Sequence, residues 1–420
     1  MRTDRAVVGA GASPGPARPL GYGRRVPAPD RSPTLIADGA GLEALCDRLA
    51  DQERYGVDTE FHTEGSYWPK LALIQLAWED QVALVDPLAV DPAPLARIFT
   101  GPGTAVAHAA GQDLDILLTA CGAAPEHVFD TQIAAGFLGM STPSLGRLVE
   151  RVLGIVLAKS DQLADWLRRP IPDGQLAYAA DDVAHLLALH DTMTADLGRR
   201  GRLTWATEEC AITLRAQRRD VVPEQAWWKV SDVRRLSGRA RGVAQELAAW
   251  RERKAAAADR PRRSVLSDLG VITIAQRAPQ TRQDLEKLRG VDGRHLGQGA
   301  AAEILAAVER GRALDASDLR LPPEPPEARA SQVAVAVCAG LVREIGEAEH
   351  LDQSLLATRH DITQLVAGEP SRLDHGWRAD IAGGPIRRLL AGEVAAAFGP
   401  GGRLVLEARS HQPAPTPPPD

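Results

Sequence analysis

Residues 55–61 read YGVDTEF and residues 71–78 read LALIQLAW. Together with QVALVDP at 81–87 they are short, β-rich runs separated by turn residues, which predicts three consecutive strands. The run TAVAHAA at 104–110 predicts a buried strand that leads into a helix. From residue 131 to 219 the apolar spacing is mostly helical. Strands, then a strand–helix unit, then helices predict an α/β domain built on one mixed sheet.

Shifts in composition and stretches rich in glycine and proline divide the chain into segments. The predicted segments are a disordered extension (1–33), the α/β domain (34–213), a basic helical domain (214–315), a Pro-rich linker (316–330), a second helical domain (331–410) and a disordered tail (411–420). Within the helical part, VLSDLGVITIAQRAP (265–279) and LATRHDITQLVAGEP (356–370) match at several apolar positions and at the closing proline. This match indicates an internal duplication.

Charge is distributed unevenly along the chain. The formal net charge is −6, but residues 214–313 carry about +9 and the remainder therefore about −15. One reading is that an acidic part recruits metal cations and a basic part recruits phosphate. The alternative is that the surplus arginines form solvated helix faces.

The four cysteines lie far apart, with no CxxC pair and no clustered histidines, which argues against a zinc site and a disulfide framework. No apolar run is long enough to span a bilayer, and no secretory signal follows the first residues. We therefore expect a cytoplasmic protein that does not contact a membrane. A helicase is not expected, because the phosphate-binding motif GxxxxGK[ST] is absent.

Five residues in three separate segments are candidates for one site: Asp58, Glu60, Asp113, Tyr178 and Asp182. Asp58 and Glu60 are two apart on a predicted strand and so share a face. Tyr178 and Asp182 are four apart on a predicted helix and also share a face. Two-metal phosphodiester chemistry needs several carboxylates to hold two cations about 3.5–4 Å apart.

Each candidate also has an ordinary structural explanation. Asp58 and Glu60 could lie on a solvent-facing edge strand, and Asp113 could simply cap a helix. Asp115 and Asp181 are neighbouring acids that compete for the same roles. A tyrosine next to an acid on a helix is most often a packing residue. The case for a metal site depends on the whole set.

At this point the sequence resembles the DEDD exonuclease superfamily and, within it, the ribonuclease D family. The resemblance runs in order through VDTEF, SYWPKLALIQLA, HAAGQDLDIL, FDTQIAAGFLG, LAKSDQLADWLRRP and YAADDV. Residues 236–312 resemble the HRDC module, a small helical nucleic-acid-binding domain, and residues 331–409 resemble a degenerate second copy. The resemblance implies a ribonuclease H-like mixed-sheet exonuclease domain followed by one or two all-α HRDC-like domains.

The resemblance also implies roles for the five residues and two divalent cations, Mg²⁺ or Mn²⁺. Asp58 would bridge both metals, while Glu60 and Asp182 would bind the metal that activates the attacking water. Asp113 would hold the second metal, and Tyr178 would orient the water. With alanine at 177 and tyrosine at 178, the chain matches the branch of the superfamily that uses tyrosine.

The implied activity is hydrolytic 3′→5′ trimming of structured RNA, such as tRNA precursors, with release of 5′-mononucleotides and without an obligate protein partner. A 3′→5′ DNA exonuclease of the proofreading or Werner type remains the alternative. The family often has arginine shortly after DTEF, where this chain has His62; Lys159 is a possible substitute contact. Candidate phosphate contacts in the HRDC-like segment are Arg251, Arg253, Lys254, Arg262 and Arg263.

Overall fold

The structure is a computed structural model of the chain, and it describes residues 32–157, 165–217, 222–297, 299–322 and 330–409. Lys159 lies outside the described residues. The same is true of the predicted tail, of residues 323–329 in the predicted linker, and of the predicted extension up to residue 31.

The α/β domain is built on one six-stranded sheet. Its strands are β1 Thr34–Ile36, β2 Arg54–His62, β3 Lys70–Trp78, β4 Gln81–Val85, β5 Thr104–Ala107 and β6 Val128–Asp130. They lie in the order β1-β4-β3-β2-β5-β6. The pairs β2–β3 and β3–β4 are antiparallel, while β1–β4, β2–β5 and β5–β6 are parallel. The predicted mixed sheet is confirmed, and YGVDTEF lies on an inner strand.

Helices cover both faces of this sheet. They are α1 Gly39–Ala50, α2 Ala96–Phe99, α3 Gly111–Cys121, α4 Thr131–Phe137, α5 Leu145–Leu153, α6 Asp173–Ala184, α7 Leu186–Arg199 and α8 Leu203–Gln217. Strand alternation separates two cores. Leu42 and Leu114 pack with Ile74 on one face, whereas Val183 and Leu189 pack with Leu73 on the other. Two of the site candidates, Asp58 and Glu60, therefore lie on a sheet that is covered on both faces.

The HRDC-like domain has a hydrophobic core of its own. Its helices are α9 Arg239–Ala257, α10 Arg262–Val265, α11 Asp268–Arg277, α12 Arg282–Glu286 and α13 Ala300–Ala313. The core is centred on Trp227, Val243, Ile274 and Ile304, all of which are buried. Contact with the α/β domain is mostly polar: the Tyr67 hydroxyl donates to Glu252 at 2.6 Å, and the Arg262 guanidinium lies over the Tyr67 ring.

The C-terminal block is helical except at its end. It contains α14 Gln332–Glu349, α15 Gln353–Leu356, α16 Arg359–Ala367, α17 Gly376–Arg378 and α18 Gly384–Leu390, followed by strands β7 Val394–Phe398 and β8 Leu404–Ala408. The sequence predicts only helices here, and for the last segment that prediction is wrong, because β7 and β8 pair as an antiparallel hairpin. In the described ranges, no helix is both long enough and apolar enough to cross a membrane.

This block shares its hydrophobic core with the α/β domain. Trp377 contacts Phe137 at 5.0 Å and Trp205 at 5.5 Å between ring centroids. Glu209 of α8 accepts hydrogen bonds from Arg378 at 2.7 Å and from Arg372 at 3.0 Å. The duplicated segments begin alike, since Ser267 and Thr358 each cap their helix with a side-chain hydroxyl. The duplication itself stays a prediction.

Candidate active site

Asp58 and Glu60 lie on the inner strand β2, and both are partly exposed. Strand alternation directs the two side chains to the same face of the sheet. The parallel ladder between β2 and β5 ends at Gly56, so the acids lie beyond the paired part of β5. β2 is an inner strand of the sheet, so it is not an edge strand as a whole, although Asp58 and Glu60 themselves pair only with β3.

Helix α6 brings Tyr178 and Asp182 over this strand. The helix can approach the strand this closely because residue 56 is glycine. A Cβ at Gly56 would lie 3.3 Å from the Val183 carbonyl oxygen and 3.2 Å from a side chain of β3. Tyr178 and Asp182 are one helical turn apart, and the Tyr178 hydroxyl donates a hydrogen bond to the Asp182 carboxylate. The preceding Ala177 is exposed. Tyr178 is therefore tied to an acid of the candidate site as well as packed.

Asp113 is not the cap of α3. The residue at the cap is Ala110, and Asp130 accepts hydrogen bonds from the backbone N–H groups of Ala109 and Ala110 at 3.0 and 2.9 Å. Asp113 lies in the first turn of α3, where it accepts a short hydrogen bond from the Thr59 hydroxyl. This bond joins the start of α3 to the strand that carries Asp58 and Glu60.

The competing acids are placed differently. Asp115 is exposed on α3. Asp182 is among the charges that raise the pKa of Asp58, whereas Asp181 is not. Of each neighbouring pair, the acid predicted from the sequence is therefore the one that lies close to the others.

The carboxyl groups on β2 are perturbed by burial and by each other. Burial and the charges of Asp113, Asp182 and Glu60 hold the pKa of Asp58 well above its usual range. Burial, followed by the charges of Asp182 and Asp113, raises the pKa of Glu60 to about 8. Carboxylates raise one another's pKa in this way only at short range. The site thus concentrates negative charge that needs compensation.

Asp113 and Asp182, the other two carboxyl groups, each accept a side-chain hydrogen bond that opposes the rise in pKa. Burial raises the pKa of Asp113 to about 6, although the Thr59 hydroxyl opposes the shift. Burial also raises the pKa of Asp182 to about 7, opposed by the hydrogen bond from Tyr178 and reinforced by Asp181.

The donor chemistry fits hard divalent cations. All four groups offer carboxylate oxygens, the ligands that Mg²⁺ and Mn²⁺ prefer, and a cation would offset their repulsion. Among the residues that the structure describes, no three acidic or histidine side chains converge into a finished ligand set. The assignment of each acid as a ligand therefore stays a prediction.

Three supporting residues were not identified from the sequence as site residues. Thr59 fixes Asp113, and Asp130 fixes the turn before α3. His108 contacts the Thr131 hydroxyl at 2.9 Å through Nδ1 and the Pro143 carbonyl at 3.1 Å through Nε2. The available signal was their position inside the quoted runs VDTEF, HAAGQD and FDTQ.

Comparison with known proteins identifies the family. The sequence profile described as 3′–5′ exonuclease matches residues 33–198, and the profile described as HRDC domain matches residues 240–308. Ribonuclease D of Acidiphilium cryptum is 35% identical over 372 residues, which cover 87% of this chain and 95% of the relative. The chain belongs to the ribonuclease D family. Its enzyme class is therefore that of the 3′–5′ exonucleases.

Other ribonuclease D sequences and structures agree. Ribonuclease D of Nitrobacter hamburgensis is 35% identical over 383 residues, which cover 90% of this chain and all of the relative. The crystal structure of Escherichia coli RNase D, an exoribonuclease involved in structured RNA processing, matches with a TM-score of 0.78 at 30% identity. That match covers 86% of this chain and 99% of the other. The ribonuclease D architecture accordingly extends through the C-terminal block.

Of the five basic HRDC residues predicted to contact phosphate, four are engaged in ion pairs in this ribonuclease D family member. Arg251 pairs with Asp268 at 2.7 Å, Arg253 with Glu224 at 3.0 Å, Lys254 with Glu303 at 2.8 Å and Arg262 with Glu252 at 2.6 Å. Arg263 is exposed and has no ion-pair partner among the described residues. Their contact with RNA stays a prediction, and it competes with these structural roles for all but Arg263.

Proposed function

We propose that this protein is a two-metal-dependent, hydrolytic 3′→5′ exoribonuclease that trims structured RNA and releases 5′-mononucleotides. The observation that supports the proposal is that Asp113 and Asp182 lie near enough to Asp58 and Glu60 for their charges to raise the pKa of both, and the pKa values of all four groups are raised. A group of partly buried acids held this close together is costly to maintain without a function or a compensating cation. The stated role of Escherichia coli RNase D in structured RNA processing supports RNA as the substrate class.

In this proposal, Asp58, Glu60, Asp113 and Asp182 hold the cations. When bound, the cations lower the pKa of water and offset negative charge on the phosphate and on the leaving 3′ oxygen. Water adds to the terminal phosphorus, the bond from phosphorus to the 3′ oxygen breaks, and the shortened strand keeps a 3′-hydroxyl. The released nucleotide keeps the phosphate on its 5′ oxygen.

Tyr178 is proposed to orient the attacking water. Its hydroxyl lies one helical turn from Asp182 and already donates to that carboxylate. Trp166 supports the tyrosine ring at a centroid distance of 6.0 Å. Thr59 has the corresponding positioning role for Asp113.

The direct test uses purified protein with a 3′-extended tRNA precursor and a single-stranded DNA of the same sequence. We expect 5′-mononucleotides from the RNA, full loss of activity in EDTA, and recovery when Mg²⁺ or Mn²⁺ is added. Product chromatography and denaturing gels measure both. Equal degradation of the DNA would favour the DNA exonuclease alternative, and activity that persists in EDTA would refute the two-metal mechanism.

Two variants separate metal binding from water orientation. Asp58→Asn should lower kcat by roughly a thousandfold because it removes a ligand. Tyr178→Phe should lower kcat by about a hundredfold through misorientation alone. Calorimetric titration with Mn²⁺ should show weaker binding for Asp58→Asn and unchanged binding for Tyr178→Phe. Asp58→Asn should also unfold at the same or a higher temperature, since it relieves repulsion between partly buried acids.

A further inference from the structure

A cleft of about 640 Å³ lies where the α/β domain meets the HRDC domain. We call it the junction cleft and define it by Ser66, Trp228, Lys229, Arg251 and Arg263, which all line it. Ser66 belongs to the loop between β2 and β3, which directly follows the strand that carries Asp58 and Glu60. One wall of the cleft is thus continuous in sequence with the candidate active site.

Among the residues that the structure describes, two buried polar atoms at the wall of the junction cleft find no hydrogen-bond partner. Arg251 is 4% exposed, and its Nη1 donates to the Leu266 carbonyl and to Asp268, but its Nε has no acceptor. Ser66 is 9% exposed, and its Oγ is likewise unpartnered. Unsatisfied buried donors are rare because each costs about 1–3 kcal/mol. Both atoms are shielded from solvent, so they belong to the inner wall of the cleft and not to a surface that a ligand can contact.

The cleft also has surplus positive charge. Its two carboxylates are already neutralised: Glu252 accepts from Arg262 and Tyr67, and Asp268 accepts from Arg251. Lys229 and Arg263 are exposed and have no ion-pair partner among the described residues. They differ in this from Arg251, Arg253, Lys254 and Arg262 of the same domain. Two exposed cations without a carboxylate partner favour a phosphate as the ligand.

An aromatic ring completes the lining. Trp228 is half-buried, and its indole N–H donates to the Arg320 carbonyl at 2.8 Å, which fixes the orientation of the ring. Fixed aromatic rings next to a basic groove bind single-stranded nucleic acid by stacking on the bases. The junction cleft therefore combines a phosphate site with a surface for one base.

We propose that the junction cleft binds one nucleotide of the substrate RNA on the 5′ side of the cleaved bond. Lys229 and Arg263 contact its phosphate, and its base stacks on Trp228. This proposal rests on the proposed exoribonuclease activity. It assigns the HRDC domain a role in holding the strand upstream of the site while the 3′ end enters it.

The test compares the double variant Lys229→Ser/Arg263→Ser with the control Arg277→Ser/Arg312→Ser. The control removes the same charge from exposed arginines of the same domain that do not line the cleft. Affinity for a 3′-extended tRNA is measured by fluorescence anisotropy in EDTA at several salt concentrations. We expect roughly tenfold weaker binding for the cleft variant, and a salt slope smaller by about 0.7 per lost phosphate contact. The control should bind like the wild type.

Crosslinking gives a second measurement that does not depend on a variant. Photoreactive 4-thiouridine placed a few nucleotides upstream of the 3′ end should crosslink to peptides that contain Trp228 or Arg263. Crosslinks only to other peptides, or equal affinity of the cleft variant and the control, would overturn the proposal. If AMP alone binds with an affinity that the cleft variant loses, the cleft is a free-nucleotide site and the RNA proposal is wrong.

Failure of the broader function is distinguishable. If the wild-type protein releases no mononucleotides from any RNA, the exoribonuclease proposal fails and the cleft proposal fails with it. If the wild type is active and the cleft variant binds RNA like the control, only the cleft proposal fails.

Discussion

The two helical regions that follow the sheet differ in how they are attached to it. The HRDC domain has its own core around Trp227 and meets the α/β domain through polar contacts such as the Tyr67–Glu252 hydrogen bond. The C-terminal block contributes Trp377 and Leu341 to the core of the α/β domain itself. Two segments that resemble each other in sequence therefore have different structural relations to the catalytic domain. One is docked, and the other is part of the fold.

The largest expected effect comes from removing one tryptophan from each core. Trp377→Ala and Trp227→Ala should each destabilise their own core by about 3–5 kcal/mol. Trp377→Ala should lower the unfolding midpoint of the α/β domain and its exonuclease activity together. Trp227→Ala should destabilise the HRDC domain and leave the α/β transition in place. Urea unfolding followed by hydrogen exchange of each region measures this. Identical exchange profiles for the two variants would contradict the comparison.

A buried ion pair offers a second test of whether the C-terminal block is part of the α/β fold. Glu209→Gln leaves Arg378, which is 4% exposed, without its carboxylate partner. Because an uncompensated buried charge is costly, we expect a loss of about 3 kcal/mol in the free energy of unfolding. The double variant Glu209→Gln/Arg378→Met should recover part of it. No recovery in the double variant would show that lost packing, not the unpaired charge, causes the effect.

The docked contact should depend on pH. Burial alone would raise the pKa of Glu252, but hydrogen bonds from Arg262 and Tyr67 hold it below the usual value. A lowered pKa stabilises the folded state above the unfolded value of about 4.3, and that stabilisation is lost as the pH falls through the folded pKa.

Glu252→Gln should therefore lower the free energy of unfolding by about 1 kcal/mol at pH 7 and by little near pH 3. The loss at pH 7 is modest because Arg262, the partner of Glu252, is half-exposed. Chemical unfolding at both pH values measures the difference. A cost that is the same at both would assign the effect to lost packing.

The smallest expected effect concerns an exposed pair. Lys254 and Glu303 are 2.8 Å apart and each about 40% exposed. Lys254→Gln should change stability by less than about 1 kcal/mol. It should also leave RNA affinity within about twofold if Lys254 serves this pair and not a phosphate. The isosteric Glu303→Gln is the matched control, and a large affinity loss for Lys254→Gln alone would restore Lys254 as a phosphate contact.

The sequence predicted the features that depend on local periodicity. The common face of Asp58 and Glu60 follows from strand alternation, and that of Tyr178 and Asp182 from helical spacing. The choice between a cap and a site residue at Asp113 could not be made locally, because the group that fixes the helix start is Asp130, from the next strand.

Contacts between residues far apart in the chain also limited what could be predicted about the roles of the basic residues and about the structure of the last segment. Lys254 finds its partner at Glu303, and Arg253 at Glu224. Neither partner is visible from helical spacing. The β7–β8 hairpin was missed although GPGG at 399–402 separates two apolar runs, because alanine-rich VAAAF is a weak strand signal.

The shared core of the C-terminal block has a consequence for biosynthesis. The ribosome completes all six strands of the catalytic sheet by residue 130, yet Leu341 and Trp377, which belong to the hydrophobic core on one side of it, are made much later. Domains usually fold as they emerge from the ribosome, N-terminal part first. Here the nuclease domain cannot finish packing until its far C-terminal residues have been translated. Full exonuclease activity is therefore expected only once residue 377 has left the ribosome.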